Sequence, residues 1–300
     1  MGVKGLYNYL RPYRKSIDPR NEESKRIGVD AMSLLYKHKG RIDDILILLQ
    51  ALKQVGHRIF FVFDGKPPAE KEREVQARKD QKSEAAAKLA VLETFLQSSQ
   101  FSELDDKAKR RIEEKRSSLE LQSWHMTREI RRRFQGELWK MEIPYVKSVS
   151  EADDVLVDLV HGGKLDIIMS SDMDFLLSGV KILWIPTDKG LFVFEKVSLE
   201  VILRGESLTE REFIDAGLLC GTEERERAKG IPCRTAMILV RHYKSIENIL
   251  ESSLKNPVIH SMFPDRASIV AARASLHSKG VFSRIRPDHL ERVRDFLESL

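Results

Sequence analysis

Residues 165–174 read LDIIMSSDMD, and residues 58–68 read RIFFVFDGKPP. Each is an apolar run, too short for a helix, that stops on carboxylates: Asp172 and Asp174 in the first, Asp64 in the second. Consecutive apolar residues bounded by turn formers describe a strand covered on both faces, as in a parallel sheet. RIGVDA at 26–31 has the same form and delivers Asp30. SVSEADD at 148–154 follows the strand-like IPYV and supplies Glu151 and Asp153. LLCGTEE at 218–224 supplies Glu223, a weaker case. In open α/β sheets the carboxyl edge is where ligands bind. Six or seven carboxylates gathered there repel one another, which raises their pKa values. A positive partner is required, and an all-oxygen donor set suits Mg²⁺ or Mn²⁺.

Composition narrows the setting. Three hundred residues allow one large domain or two smaller ones, and 42% apolar content suffices for a core. Lys and Arg exceed Asp and Glu by only 51 to 46, so the net charge of +5 leans toward a polyanionic partner. The excess is local: residues 71–140 carry 17 basic against 13 acidic side chains. Cys220 and Cys233 are the only cysteines, with no CxxC spacing, which argues for a reducing compartment, nucleus or cytoplasm. No signal peptide and no run as long as a membrane span is visible; ILILL at 45–49 is about the longest.

Outward from the acidic strand ends, the chain alternates. Residues 26–64 predict strand, helix, helix, strand, the second helix spanning about Asp43 to Val55 on the spacing Ile45, Leu48, Leu49, Leu52, Val55. Residues 69–140 lack Gly until Gly136 and are rich in Ala, Glu, Lys and Arg, which predicts long helices with weak core periodicity. QSSQFSELDD at 97–106 breaks them into two or more. From 144 to 195 strands return at IPYV, LDIIMSS, VKILWIP and GLFVFEK, with a helix starting near Glu151 and a hairpin turning at Asp188-Lys189-Gly190. TEREFIDAGLLCG, RTAMILVRHY and the terminal RPDHLERVRDFLESL then predict helices.

MGVKGLYNYL, VDAMSLLY, FVFDGKPP, SEADD and SDMDFL, in this order, resemble the flap endonuclease (XPG-type) family of structure-specific 5′ nucleases over the whole chain. The resemblance implies an α/β fold: a central, mostly parallel twisted sheet flanked by helices (a PIN-like 5′-nuclease core) with an inserted helical arch and a C-terminal helical subdomain. Residues 1–205 would be the nuclease core, with 69–143 the inserted arch or gateway. Residues 206–300 would be a helical DNA-binding subdomain with a degenerate helix-two-turn-helix. The implied activity is two-metal hydrolysis of DNA phosphodiesters at 5′ flaps or single-strand/double-strand junctions, in replication, repair or recombination. A junction resolvase, a 5′→3′ exonuclease on the same core and a non-catalytic junction binder are the alternatives. Two Mg²⁺ ions, with Mn²⁺ able to substitute, would be held by Asp30, Asp64, Glu151, Asp153, Asp172, Asp174 and Glu223. Partners would be DNA with a 5′ flap, nick, gap or branch; a monomer is expected.

Each of these residues has a plainer reading. Asp30 serves equally as a helix N-cap, and Asp64 before Gly65 as a turn former. Glu151 and Asp153 at a helix start complement its dipole, and Asp172 and Asp174 could form another cap, although two apart at a strand end they fall on one side. Lys71 and Arg78, seven apart on one helical face, would otherwise be an ordinary solvated pair. By resemblance they reach the scissile phosphate from the gateway helix. The resemblance also gives Tyr36 a stacking role against a base, otherwise a core tyrosine, and brings Gly2 toward the site. Arg128, Arg131, Arg132 and Arg133 form a basic cluster suited to phosphates, though most such runs are solvated faces. Departures are clear. Asp153 replaces a family Glu, Glu223 a family Asp, and GIPCRTA (230–236) replaces a turn like GIGPKRA that holds a duplex phosphate through K⁺. In it Gly230 and Arg234 remain as candidate DNA contacts, but Pro232 removes an N–H. A sliding-clamp tail is not evident.

Overall fold

The computed structural model describes residue 3 and residues 5–66, 72–221 and 231–253. Glu223, Gly2, Lys71, Gly230 and the terminal helix expected at 286–300 lie outside the described residues. Backbone but not side chain is described for Arg78.

A short helix α1 (Leu6–Tyr9) and an edge strand β1 (Arg14–Ile17) precede β2 (Arg26–Asp30), α2 (Ala31–Lys37), α3 (Ile42–Gln54) and β3 (Arg58–Phe63). Then come α4 (Glu72–Leu96), α5 (Ser99–Ser102), α6 (Asp106–Ser123) and α7 (Arg128–Lys140) before the chain re-enters the sheet at β4 (Tyr145–Lys147). The remainder runs α8 (Ala152–His161), β5 (Ile167–Met169), α9 (Asp174–Leu177), β6 (Ile182–Pro186), β7 (Phe194–Ser198) and α10 (Leu199–Glu206). It closes with α11 (Glu210–Cys220), α12 (Cys233–Tyr243) and α13 (Ile246–Ser253).

Seven strands form one sheet in the order β1-β7-β6-β5-β2-β3-β4. The five from β6 to β4 are parallel, and β7 is antiparallel to both of its neighbours. Strands alternate their side chains between two cores, as the period of two requires. Ile59, Phe61, Phe63, Ile167, Met169 and Trp184 face the layer of α2, α3 and α7. Phe60, Val62, Ile168, Leu183 and Ile185 face the layer of α8, α9 and the C-terminal helices. Strands buried on both faces explain the unbroken apolar runs. The expected helix at 43–55 is α3, and the expected hairpin joins β6 to β7 with Pro186 opposite Phe194. β1, RKSI, carries no comparable pattern; it forms by pairing with the exposed edge of β7.

Within the insertion, α4 and α6 pack along each other, and α7 lies on the core with Phe134 and Leu138 fully buried. Phe134 sets its ring edge-on to Phe61 at 5.4 Å. The weak periodicity of α4 and α6 follows: they bury little, chiefly Ala85 and Leu119.

One glycine positions the site. Gly65 follows Asp64 where the ends of β3 and β4 cross, and its N–H donates to the Ser150 carbonyl at 2.6 Å. A Cβ there would lie 2.3 Å from both the Ser148 and Val149 carbonyl oxygens, which are backbone atoms. Gly65→Ala is therefore expected to pry the two loops apart and cost about 1–3 kcal/mol or more, measured by urea unfolding. Wild-type stability would show that the crossing is not tight.

Candidate metal-binding active site

Parallel order sets where the acids go. β5, β2, β3 and β4 are adjacent and all point the same way. Their carboxyl ends therefore bring Asp172, Asp30, Asp64 and Glu151 to one edge. The chain leaves β2 toward β3 and β4 on one side, and resumes at β5 on the other. That reversal is the crevice where open α/β sheets bind ligands.

Each carboxylate has a local reason for its place. Asp30 ends β2 and caps α2: its Oδ1 accepts from the Met32 and Ser33 N–H groups, both at 3.0 Å. Oδ2 accepts from the Ser170 hydroxyl at the end of β5 at 3.0 Å. Asp64 reaches across and accepts from the Ala152 N–H at 2.9 Å, serving the first turn of α8. Glu151 is the N-cap residue of α8 without a side-chain cap bond, and Asp153 lies in that helix's first turn. Asp172 Oδ1 accepts from the Asp174 N–H at 3.0 Å, fixing the turn into α9. Asp174 Oδ1 accepts from the Val3 N–H at 2.8 Å, so the N-terminal segment runs into the site.

The plain capping roles are thus real, and they coexist with strong electrostatic coupling. Burial, then the neighbouring Asp64, raises the Asp30 pKa to about 7, against the opposing effect of its hydrogen bonds. Asp153 is raised well above the ordinary range by burial, then by Asp30, Asp172, Asp64 and Glu151. These five carboxylates lie within one another's fields. Among the described residues no three His, Cys, Asp or Glu side chains stand as a ready-made cation cage. The fit to a hard cation rests on the donor chemistry, all oxygen, and on the repulsion a cation would relieve.

The other predicted residues divide. Tyr36 lies in the last turn of α2 and is 39% exposed, so it is not a core tyrosine. It sits edge-on to Trp124 at 5.1 Å, a contact that sequence spacing gave no means to foresee. Arg128, Arg131, Arg132 and Arg133 all stand on α7 but do not act alike. Arg131 Nη2 lies 3.5 Å from Met32 Sδ, beside the start of α2. Arg133 pairs with Asp43 at 3.2 Å, while Arg128 and Arg132 face solvent. Arg234 is exposed in the first turn of α12.

The carboxylate cluster makes stability depend on pH. An Asp near 3.9 in the unfolded chain and near 7 when folded keeps its proton longer in the fold. Stability therefore falls as pH rises from about 4 to about 7, and the full penalty persists above 7. A shift this large is worth up to about 4 kcal/mol. His38 is lowered chiefly by burial and acts in the opposite sense below its ordinary pKa. The comparison must therefore be made against Asp153→Asn. In EDTA, the wild type should lose about 2–4 kcal/mol between pH 5 and pH 8, and Asp153→Asn clearly less. Equal pH dependence of the two proteins in urea titrations would contradict the coupling.

Comparison with known proteins adds three findings. Residues 142–223, from before β4 to just past α11, match the XPG I-region. Flap endonuclease 1 of Eremothecium gossypii is 27% identical over 277 residues, covering 84% of this chain and 68% of the relative. Flap endonuclease 1-B of Physcomitrium patens is 28% identical over 85% of this chain and 76% of its own. Among solved structures, the catalytic core of Rad2 in complex with DNA substrate superposes with a TM-score of 0.60. It is 18% identical, over 92% of this chain and 79% of that one. Human GEN1 in complex with Holliday junction DNA gives 0.58 at 16% identity, over 98% and 72%. The matched region and the relatives are those of XPG-type flap endonucleases, the solved structures share the fold, and the resemblance carried by the sequence motifs is borne out.

Proposed function

We propose that this chain is a divalent-cation-dependent nuclease that cleaves DNA phosphodiesters at 5′ flaps or single-strand/double-strand junctions, in replication, repair or recombination. The observation that carries the reading is the set of mutually repelling carboxylates at the ends of four adjacent parallel strands, with Asp30 pushed up to about 7. The relatives' names, flap endonuclease 1 and 1-B, support phosphodiester cleavage as the chemistry. DNA as the partner draws support from the substrate-bound Rad2 core and the junction-bound GEN1.

Asp30, Asp64, Glu151, Asp153, Asp172 and Asp174 would hold two Mg²⁺ ions, with Mn²⁺ able to substitute and Glu223 a further candidate. When bound, such cations supply an acidified water and an electrophilic grip on the phosphate oxygens. The chain's own groups do the rest. Asp64 fixes the first turn of α8, where Glu151 and Asp153 stand, and Asp30 fixes that of α2. Val3 N–H steers Asp174. Lys71 and Arg78, at the start of the insertion, are proposed to meet the scissile phosphate. Gly230 and Arg234, with residues 206–300, are proposed to grip the duplex, and residues 69–143 to receive the single strand.

Asp174→Ala, and likewise Asp64→Ala, should lower flap cleavage in Mg²⁺ by about 100-fold or more. DNA affinity in EDTA should change only a few-fold. Near wild-type turnover would remove the two-cation reading. A panel of flap, nicked, gapped and four-way DNA separates the alternatives: cleavage of the four-way substrate alone indicates a resolvase, and binding without cleavage a non-catalytic binder.

Phosphate contact by α7 should show in salt dependence. Arg128 and Arg132 face solvent, so replacing both with Gln should reduce the slope of log affinity against log salt by about 1–2. An unaltered slope would make them a solvated face only.

A further inference from the structure

Beyond the packing of α7 on the core, the two long helices of the insertion converge on one aromatic side chain of α2, Tyr36. Trp124, the C-cap residue just after α6, sets its ring perpendicular to Tyr36, centroids 5.1 Å apart at 87°. Lys82 on α4 lays its ammonium 4.5 Å above the Tyr36 ring and donates to its hydroxyl at 3.1 Å. Both long helices of the insertion therefore hold the same phenol, at the end of a helix that Asp30 caps. A glycine seats the indole. Gly40 has φ +66°, and a Cβ there would lie 3.0 Å from Trp124 Cζ2 and 3.2 Å from two Ile130 carbons.

These contacts are weak enough to exchange. An ammonium over a half-exposed ring and a single edge-to-face pair are each small stabilisations. A nucleobase offers a larger flat π surface, and aromatic side chains stack on any base without regard to sequence. A base that lies on the Tyr36 face must take the place of the Lys82 ammonium. The released cation then stands beside the strand, where a phosphate is its natural partner.

We propose that Tyr36, Trp124 and Lys82 form a latch that is opened by an unpaired nucleobase. Closed, it pins both helices of the insertion to α2. The entering base displaces Lys82 from the Tyr36 ring, and Trp124 becomes a second aromatic wall of the base's seat. A contact of the tyrosine with a base already follows from the family resemblance; the occupied ring, the Trp124 wall and the exchange are specific to this chain. The proposal rests on the nuclease reading of the neighbouring site, but its test reads neither cleavage nor cations.

The test uses the whole chain in EDTA, with Trp139→Phe to remove the exposed indole; Trp184 is buried and serves as a constant background. Two probes are titrated: a 5′-flap DNA, and the same DNA with abasic sites at its first two unpaired positions. The intact flap should change the Trp124 emission, and the abasic flap should bind while changing it at most about a third as much. Without DNA, Trp124→Ala should speed trypsin cleavage within 72–123 about threefold or more, and Trp124→Phe should restore resistance. Equal emission changes from both DNAs, or unaltered proteolysis in Trp124→Ala, would overturn the latch alone. Failure of both DNAs to bind would overturn the nuclease reading with it, and failure of the abasic flap alone would overturn the latch.

Discussion

Repulsion among the carboxylates at the sheet's carboxyl edge is the constraint around which the molecule is arranged. Parallel strands end in one place, so acids at strand ends are forced into one another's fields. The fold meets the cost by giving four of the acids a donor: Met32 and Ser33 N–H and the Ser170 hydroxyl for Asp30, Ala152 N–H for Asp64, Asp174 N–H for Asp172, Val3 N–H for Asp174. These hydrogen bonds lower carboxylate pKa values, yet at Asp30 burial and Asp64 still outweigh them. An edge built for stability alone would place fewer acids there. The residual repulsion is what binding a cation would relieve.

A second polar cluster joins the helices after residue 206 to the N-terminus. Glu206, at the end of α10 and buried, accepts from the Tyr9 hydroxyl at 2.9 Å, from the Tyr13 hydroxyl at 2.7 Å and from Arg241 Nη2 at 2.7 Å. Arg241 also donates to the Glu206 carbonyl. A buried charge needs this full set of partners. The consequence is geometric: α12 and α1 are tied to one side chain, and α1 lies next to the segment whose Val3 touches Asp174. The apolar core runs on without a break from α8 and α9 through α11 to α13. Any part of α12 that met a duplex would be referenced rigidly to the carboxylates.

Much of this was legible in the sequence because burial on both faces leaves a plain mark. IIM, RIFFVF and RIGVD are readable as parallel strands since no polar side chain is tolerated on either side. The acids that interrupt such runs stand out for the same reason. β1 was illegible because RKSI takes its conformation from the edge of β7 and not from its own pattern. The arginine cluster on α7 was legible as charge but not as function. Arg133 is committed to Asp43 and Arg131 to the side of Met32, pairings that depend on α3 and α2, far off in sequence. Tyr36 could not be sorted from a core tyrosine, because its surroundings come from residues 46 and 88 positions away.

The resemblance implies Glu where this chain has Asp153, and the arrangement gives the shorter side chain a physical sense. Asp153 feels Asp30, Asp172, Asp64 and Glu151, and burial together with these neighbours raises its pKa well above the ordinary range. A longer side chain in the first turn of α8 would carry its charge farther from the helix's own N–H groups, whose dipole favours an anion there. The shorter Asp keeps the charge near that dipole at the expense of reach across the site. Glu151, the N-cap residue of α8, stands two residues earlier with the longer side chain. In the proposed cation site the pair would offer one short and one long carboxylate from the same helix start.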